Sequence, residues 1–159
     1  MVLYSDLKDF KVYTTLGQEK GKISGLVVDL SNWQIRNVIV SPGLLKRKVF
    51  VRLEDVKEAD EYEKKITIPG DVQEGDIIKS SSLSAAIVDE TLLNKDVVSK
   101  DGEKVGELYD LDVPLKLRRW KIWKVLIKRG MKQRRLRYGP EEIDSVAEKI
   151  ILKRTYKAI

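Results

Sequence analysis

The chain contains neither cysteine nor histidine in 159 residues. Without cysteine there can be no disulfide, no thiolate nucleophile and no zinc–sulfur site. Without histidine the usual acid/base group near neutral pH and the commonest metal ligand are both missing. No Gly-rich phosphate loop, nucleotide fingerprint or nucleophile elbow is present. These absences point to a non-catalytic protein with no cofactor and no metal centre. No apolar run approaches the roughly 18–20 residues of a bilayer span, and the opening MVLYSDLKDF lacks a signal-peptide pattern, so a cytoplasmic location is the expectation. What is present, 42% hydrophobic and 35% charged residues, suits a folded globular chain and not a disordered one.

The first seventy residues read as short strands. Residues 11–14 form one, followed by a turn at Leu16-Gly17-Gln18-Glu19. Residues 21–30 form a longer one, Ser31-Asn32 signals a turn, and residues 33–41 rise again before Pro42-Gly43. Residues 46–53 return with a period of two, Glu54-Asp55-Val56 reads as a helical turn, and an acidic run leads to a last strand at 65–68. Short strands at near-regular spacing indicate a small barrel or sandwich.

The series then recurs. At an offset of 85, Leu7, Val12, Gly17, Gly21, Leu26 and Val28 match Leu92, Val97, Gly102, Gly106, Leu111 and Val113. At an offset of 87, Trp33, Ile35, Val38, Gly43, Arg47 and Glu54 match Trp120, Ile122, Val125, Gly130, Arg134 and Glu141. The two extra residues fall in one turn, where residues 29–32 are replaced by 114–119. A tandem duplication of a domain-sized unit accounts for this. Gly17 and Gly102 are expected at hairpin tips, and Gly21 and Gly106 at a bulge or a close backbone approach. The boundaries expected are a first unit at 1–70, a polar linker at 71–89 holding the start of a helical turn, and a second unit at 90–159.

Both units resemble the PRC-barrel family. The resemblance is carried by residues 13–30 (YTTLGQEKGKISGLVVDL) and 98–113 (VSKDGEKVGELYDLDV), by the apolar strand and Pro-Gly of residues 38–43, and by VFVRLEDVK at 49–57. It covers most of residues 5–69 and 90–153, with the stand-alone archaeal type as the nearest pattern. It implies an all-β fold of two tandem small PRC-like β-barrels with short helical turns. It also implies docking work, as in the cytoplasmic part of a photosynthetic reaction-centre subunit, a ribosome-maturation protein and archaeal proteins linked to cell division. No catalytic motif travels with it. The second unit departs at Arg137-Tyr138-Gly139-Pro140, where a shorter or distorted strand is expected, because proline cannot donate to a ladder.

Charge is concentrated in one place. Residues 116–137 (KLRRWKIWKVLIKRGMKQRRLR) hold eleven Lys and Arg and no acid, although the whole chain carries only +6. In the repeat frame this segment is a hairpin, with a strand at 120–128 and a return strand after a loop. Strict alternation would set Trp120, Ile122, Lys124 and Leu126 on one face and Lys121, Trp123, Val125 and Ile127 on the other. Trp120 reads as core, like Trp33. Trp123, whose counterpart is Arg36, divides evenly between core and contact surface. The charges admit three readings: a solvated face, a patch for RNA or an anionic membrane surface, and a face docking an acidic protein. That protein includes a second copy, through its run Glu58, Asp60, Glu61 and Glu63, so self-association is among the expected partners. Protein docking leads, through Leu44 and Leu45 on a loop tip and through Arg118, Arg119, Lys121, Trp123, Lys124, Arg129, Arg134, Arg135 and Arg137. The alternative is an RNA- or ribosome-associated factor using Lys121, Lys124, Arg129, Arg134, Arg135 and Arg137. Glu54-Asp55 and Glu141-Glu142 read as openings of helical turns, and Asp110 with Asp112 as a two-carboxylate pair lacking a third ligand.

Overall fold

The alternation of apolar and polar residues that marks the strands is realised in a computed structural model describing residues 1–43, 47–71, 85–115, 119–130 and 134–155, with Arg134 placed by its backbone alone. The first half runs β1 (Val2–Leu3), α1 (Tyr4–Leu7), β2 (Lys11–Thr14), β3 (Glu19–Asp29), β4 (Gln34–Ser41) and β5 (Val49–Arg52). A 3₁₀ turn at Leu53–Asp55 leads to β6 (Glu58–Asp60) and β7 (Lys65–Ile68). The second half repeats the order with β8 (Ala85–Ile87), α2 (Val88–Thr91), β9 (Asp96–Val98), β10 (Lys104–Val113), β11 (Lys124–Arg129) and β12 (Arg134–Tyr138). A 3₁₀ turn at Pro140–Glu142 then precedes β13 (Ile143–Val146) and β14 (Ile150–Leu152).

The described residues form two seven-stranded sheets, one ordered β5-β4-β3-β2-β7-β6 with β8 on β3, the other β12-β11-β10-β9-β14-β13 with β1 on β10. The all-β, two-unit expectation holds. Closure does not: among the described residues β5 pairs only with β4, and β6 only with β7, so the hydrogen-bonded path is open. The 3₁₀ turn between them satisfies its backbone locally, Val56 N donating to Leu53 O, and β6 then takes β7 as its partner. The sharper departure expected at Pro140 is absent. β12 spans five residues against four in β5, because proline sits at the start of the 3₁₀ turn, where a missing N–H costs nothing.

Equivalent irregularities recur at equivalent places. Both long strands shift register beside a glycine, β3 at Gly21 and β10 at Gly106. A Cβ on Gly21 would lie 2.1 Å from Ser41 O, and on Gly106 2.4 Å from Lys128 O, so neither site admits a side chain. A second bulge, at Arg36 in β4, flips the side-chain parity between Ile35 and Val38.

The halves are joined by exchange. β1, at the chain's beginning, pairs with β10, Val2 opposite Val113 and Leu3 opposite Asp112. Reciprocally, β8 pairs with β3, Ile87 opposite Val27 and Ala86 opposite Val28. Ile35 N donates to Trp120 O at 2.7 Å and Ile122 N to Trp33 O at 2.9 Å. The two bonds are each other's repeat equivalents, and between them the isolated bridge of Gln34 with Lys121 joins two counterpart residues directly. Residues that meet their own counterparts lie on a two-fold relation, as at a symmetric dimer interface. Beneath the seam one apolar cluster takes residues from both sheets, including Val12, Leu26 and Val38 with Val97, Leu111 and Val125. Trp33 and Trp120 are both buried in it.

Polar side chains fasten the same seam. Tyr4 OH donates to Asp89 Oδ1 at 2.5 Å, and burial together with that carboxylate pushes its ionisation far above the usual phenol range. Lys8 Nζ reaches Asp89 Oδ2 at 2.6 Å. Ser5 donates to Asp110 twice, from its backbone N at 3.1 Å and its Oγ at 2.5 Å.

Candidate functional site

The basic hairpin is β11 and β12, in register from Val125 opposite Tyr138 to Arg129 opposite Arg134. Within this ladder Leu126 faces Arg137 and Lys128 faces Arg135. On the next strand inward, Leu126 lies opposite Asp110 and Lys124 opposite Asp112. Period-two geometry therefore gathers Lys124, Leu126, Lys128, Arg135 and Arg137 on one face of the second sheet, above Asp110 and Asp112. Val125 and Ile127, on the other face, are fully buried.

The strict alternation expected over residues 120–128 is corrected by this arrangement. Trp120 and Ile122 are buried, and so are Val125 and Ile127, which alternation had placed on the opposite face. The strand β11 begins only at Lys124, and the extra residue between the two buried pairs is Trp123. It sits at the position of the Arg36 bulge in the first unit and is 50% exposed. Its backbone N donates to Asp112 O at 3.0 Å, which continues the ladder past the strand's formal start. An extra residue in one strand leaves its side chain out of phase with the core, so Trp123 faces outward.

The sequence candidates divide accordingly. Lys124, Arg135 and Arg137 share a face, and Trp123 joins them through Lys124, whose Nζ lies 5.4 Å from its ring centroid. Arg119 is exposed next to Trp120, and Lys121 lies at the two-fold bridge to Gln34, so both belong to the seam between the halves. Arg129 stands opposite Arg134 at the hairpin tip, one step out of phase with the Lys128–Arg135 pair. Leu44, Leu45 and Arg118 lie outside the described residues. Sequence reasoning missed Tyr109 and passed over Lys128. The Arg135 guanidinium sits 4.4 Å from the centre of the Tyr109 ring, a cation–π stack across the face. Tyr109 was illegible because the bulge between Leu108 and Asp110 resets parity at that residue.

The two carboxylates below this face differ. Asp110 accepts from Ser5 and from Leu111 N at 2.9 Å. Asp112 is also buried, yet its Oδ2 has no hydrogen bond, and the nearest cation is Arg137 Nη1 at 3.9 Å. Burial raises the Asp112 pKa above the usual carboxylate range, Arg137 opposes that rise and Asp110 adds to it. Among the described residues no group of three or more His, Cys, Asp or Glu side chains could hold a metal ion. Glu54 and Asp55 belong to a 3₁₀ turn and pair with Arg52. Glu141 and Glu142 belong to another, where Glu142 Oε2 accepts from Gly139 N and Glu142 pairs with Arg154.

At its free side β12 ends the sheet. Among the described residues no strand lies beyond it, so its outer backbone donors and acceptors border a row that includes exposed Arg135 and Arg137. At the far end of the first sheet β6 is likewise terminal, and it carries Glu58 and Asp60.

An all-β chain whose described residues form two open sheets with reciprocally exchanged strands is the class these features define. Residues 1–74 match the family model of the PRC-barrel domain, and the first half of this chain is therefore a PRC-barrel domain. No curated protein matches the chain. Among the described residues no helix is long and apolar enough to cross a membrane.

Proposed function

We propose that the protein is a non-catalytic docking module whose second unit, itself a PRC-type copy, receives an extended acidic segment of a protein partner along β12. The copy reading is supported by the shared strand order and by equivalent registers in the two halves. The docking reading is carried by one observation: β12 is a terminal strand that carries exposed Arg135 and Arg137. Unpaired backbone groups supply affinity when a strand is added, and side chains at alternate positions supply selectivity. Edge charges otherwise serve to repel such additions, and a single-sign row repels its own kind while admitting the opposite sign. An adaptor role in an archaeal assembly such as the division machinery fits this mode and is part of the proposal.

The second reading, an RNA- or ribosome-associated factor, draws support from exposed Trp123 among cations. The aromatic faces weigh against it. Arg135 covers Tyr109 and Lys124 lies over Trp123, so the faces on which bases would stack are shared with the protein's own cations.

Trp33 and Trp120 are buried, so Trp123 is the tryptophan whose emission reports on this edge. Titration with a synthetic peptide of alternating Glu and Val should shift that emission to the blue. Arg135→Glu with Arg137→Glu should abolish the shift. A matched titration with mixed-sequence single-stranded RNA is the counter-test. Saturable RNA binding with no response to the peptide would overturn the docking reading, and so would silence toward both.

A further inference from the structure

The occupant of the β12 edge is set by a second terminal strand in the same molecule. β12 presents Arg135 and Arg137, two residues apart and so on one face of the strand. β6 presents Glu58 and Asp60 at the same spacing, with exposed Glu63 just beyond in the following turn. Both strands end their sheets and both lack a neighbour on the outer side among the described residues. The other two terminal strands match β12 less well. β5 (VFVR) carries a cation, and β13 (IDSV) carries the single acid Asp144.

We infer that β6 of a second copy of this chain adds to β12, placing Glu58 and Asp60 against Arg135 and Arg137. This rests on the docking reading above and names its partner. Opposite charges at matching positions across paired strands attract, and two copies of β12 facing each other would repel. The contact therefore joins unlike surfaces. Each copy that uses its β12 keeps its β6 free, and vice versa, so the assembly grows head to tail into a chain or a ring and does not stop at a symmetric pair. The divergence of the two units accounts for the polarity: β12 carries Arg134, Arg135 and Arg137, whereas β5 carries Arg52 alone, paired with Glu54 and Asp55, and only the first unit has the acidic strand. At the positions equivalent to Glu58 and Asp60 the second unit has Ser145 and Ala147. Each copy thus offers one acceptor and one donor edge.

The acidic side also holds contacts of its own. Asp60 Oδ1 accepts from Glu63 N at 2.9 Å, and Glu61 pairs with the Met1 amine at 2.9 Å, so the turn after β6 is held in shape before any partner arrives.

Sedimentation velocity on the full chain over a wide concentration range, at low and high salt, tests this. The heavier species should grow with concentration and dissolve with salt. Arg135→Glu/Arg137→Glu should remove every species heavier than one chain, and so should Glu58→Arg/Asp60→Arg. Mixing the two variants should restore assembly, because each then finds an edge of opposite sign. Circular dichroism confirms that the variants fold, and Arg135→Glu alone serves if the double variant does not. A chain that stays monomeric throughout overturns the second-copy occupant, as does assembly that ignores both reversals or is not restored by mixing. The acidic-peptide titration then decides separately whether β12 docks a foreign strand.

Discussion

The outer faces of the two sheets are the same scaffold with different chemistry. In the first unit Gly25 lies opposite Ile39, and Ile39 opposite Phe50. In the second, the equivalent row is Asp110, Leu126 and Arg137. One step along, Val27 opposite Asn37 becomes Asp112 opposite Lys124. Register and bulges are kept while an apolar row becomes a charged one. The fold therefore depends on features that both halves share, and the proposed docking on features that only one has. The connecting turns show the same division. In the tight first turn Trp33 is held at φ 60°, a costly conformation for a bulky side chain, whereas Trp120, reached through two more residues, has no positive φ.

Substitutions at shared positions should cost most. Gly21→Ala and Gly106→Ala each force a Cβ into a backbone oxygen, so each should lose about 3 kcal/mol or more in urea unfolding. Gly21 should be the worse of the two, since its φ of 129° adds strain to the clash. A tolerated alanine at either place would separate the two units' backbones. Next in size is the seam: Tyr4→Phe leaves Asp89 with Lys8 alone and should cost about 1–2 kcal/mol by the same measurement.

Asp112→Val restores the first unit's residue at a site where the carboxylate is buried and short of partners, and should stabilise by about 1 kcal/mol at neutral pH. The pH dependence has a definite sign. A carboxyl whose folded pKa is raised costs stability once ionised, so the penalty is present above the folded value and disappears as pH falls below the unfolded one. The advantage of the valine variant should therefore shrink between neutral pH and about pH 4. An advantage that grows on acidification would show that Arg137 outweighs burial. Smallest of all is Arg135→Glu, exposed and stacked on Tyr109, which should change stability by no more than about 1 kcal/mol while removing peptide binding.

Much of the shared scaffold was legible in the chain. β2 and β7 fall where the apolar period and the Pro-Gly stop put them, and the matched glycines mark both bulges. The exchange of β1 and β8 was not legible, because two- and three-residue strands have too little period to read and their partners lie in the other repeat. The site was half legible. Eleven cations in one segment are plain, but which of them share a face depends on bulges at Trp123 and beside Tyr109, and a bulge inverts parity without leaving a mark in composition.

On the proposed reading β12, and not its counterpart β5, is the edge that accepts a partner strand. Backbone amide hydrogen exchange of the full chain, with and without saturating acidic peptide, compares the two directly. Slowed exchange confined to residues 134–138, with residues 49–52 unchanged, is the predicted result. Equal slowing at both edges, or none at 134–138 while the peptide is bound, would contradict it.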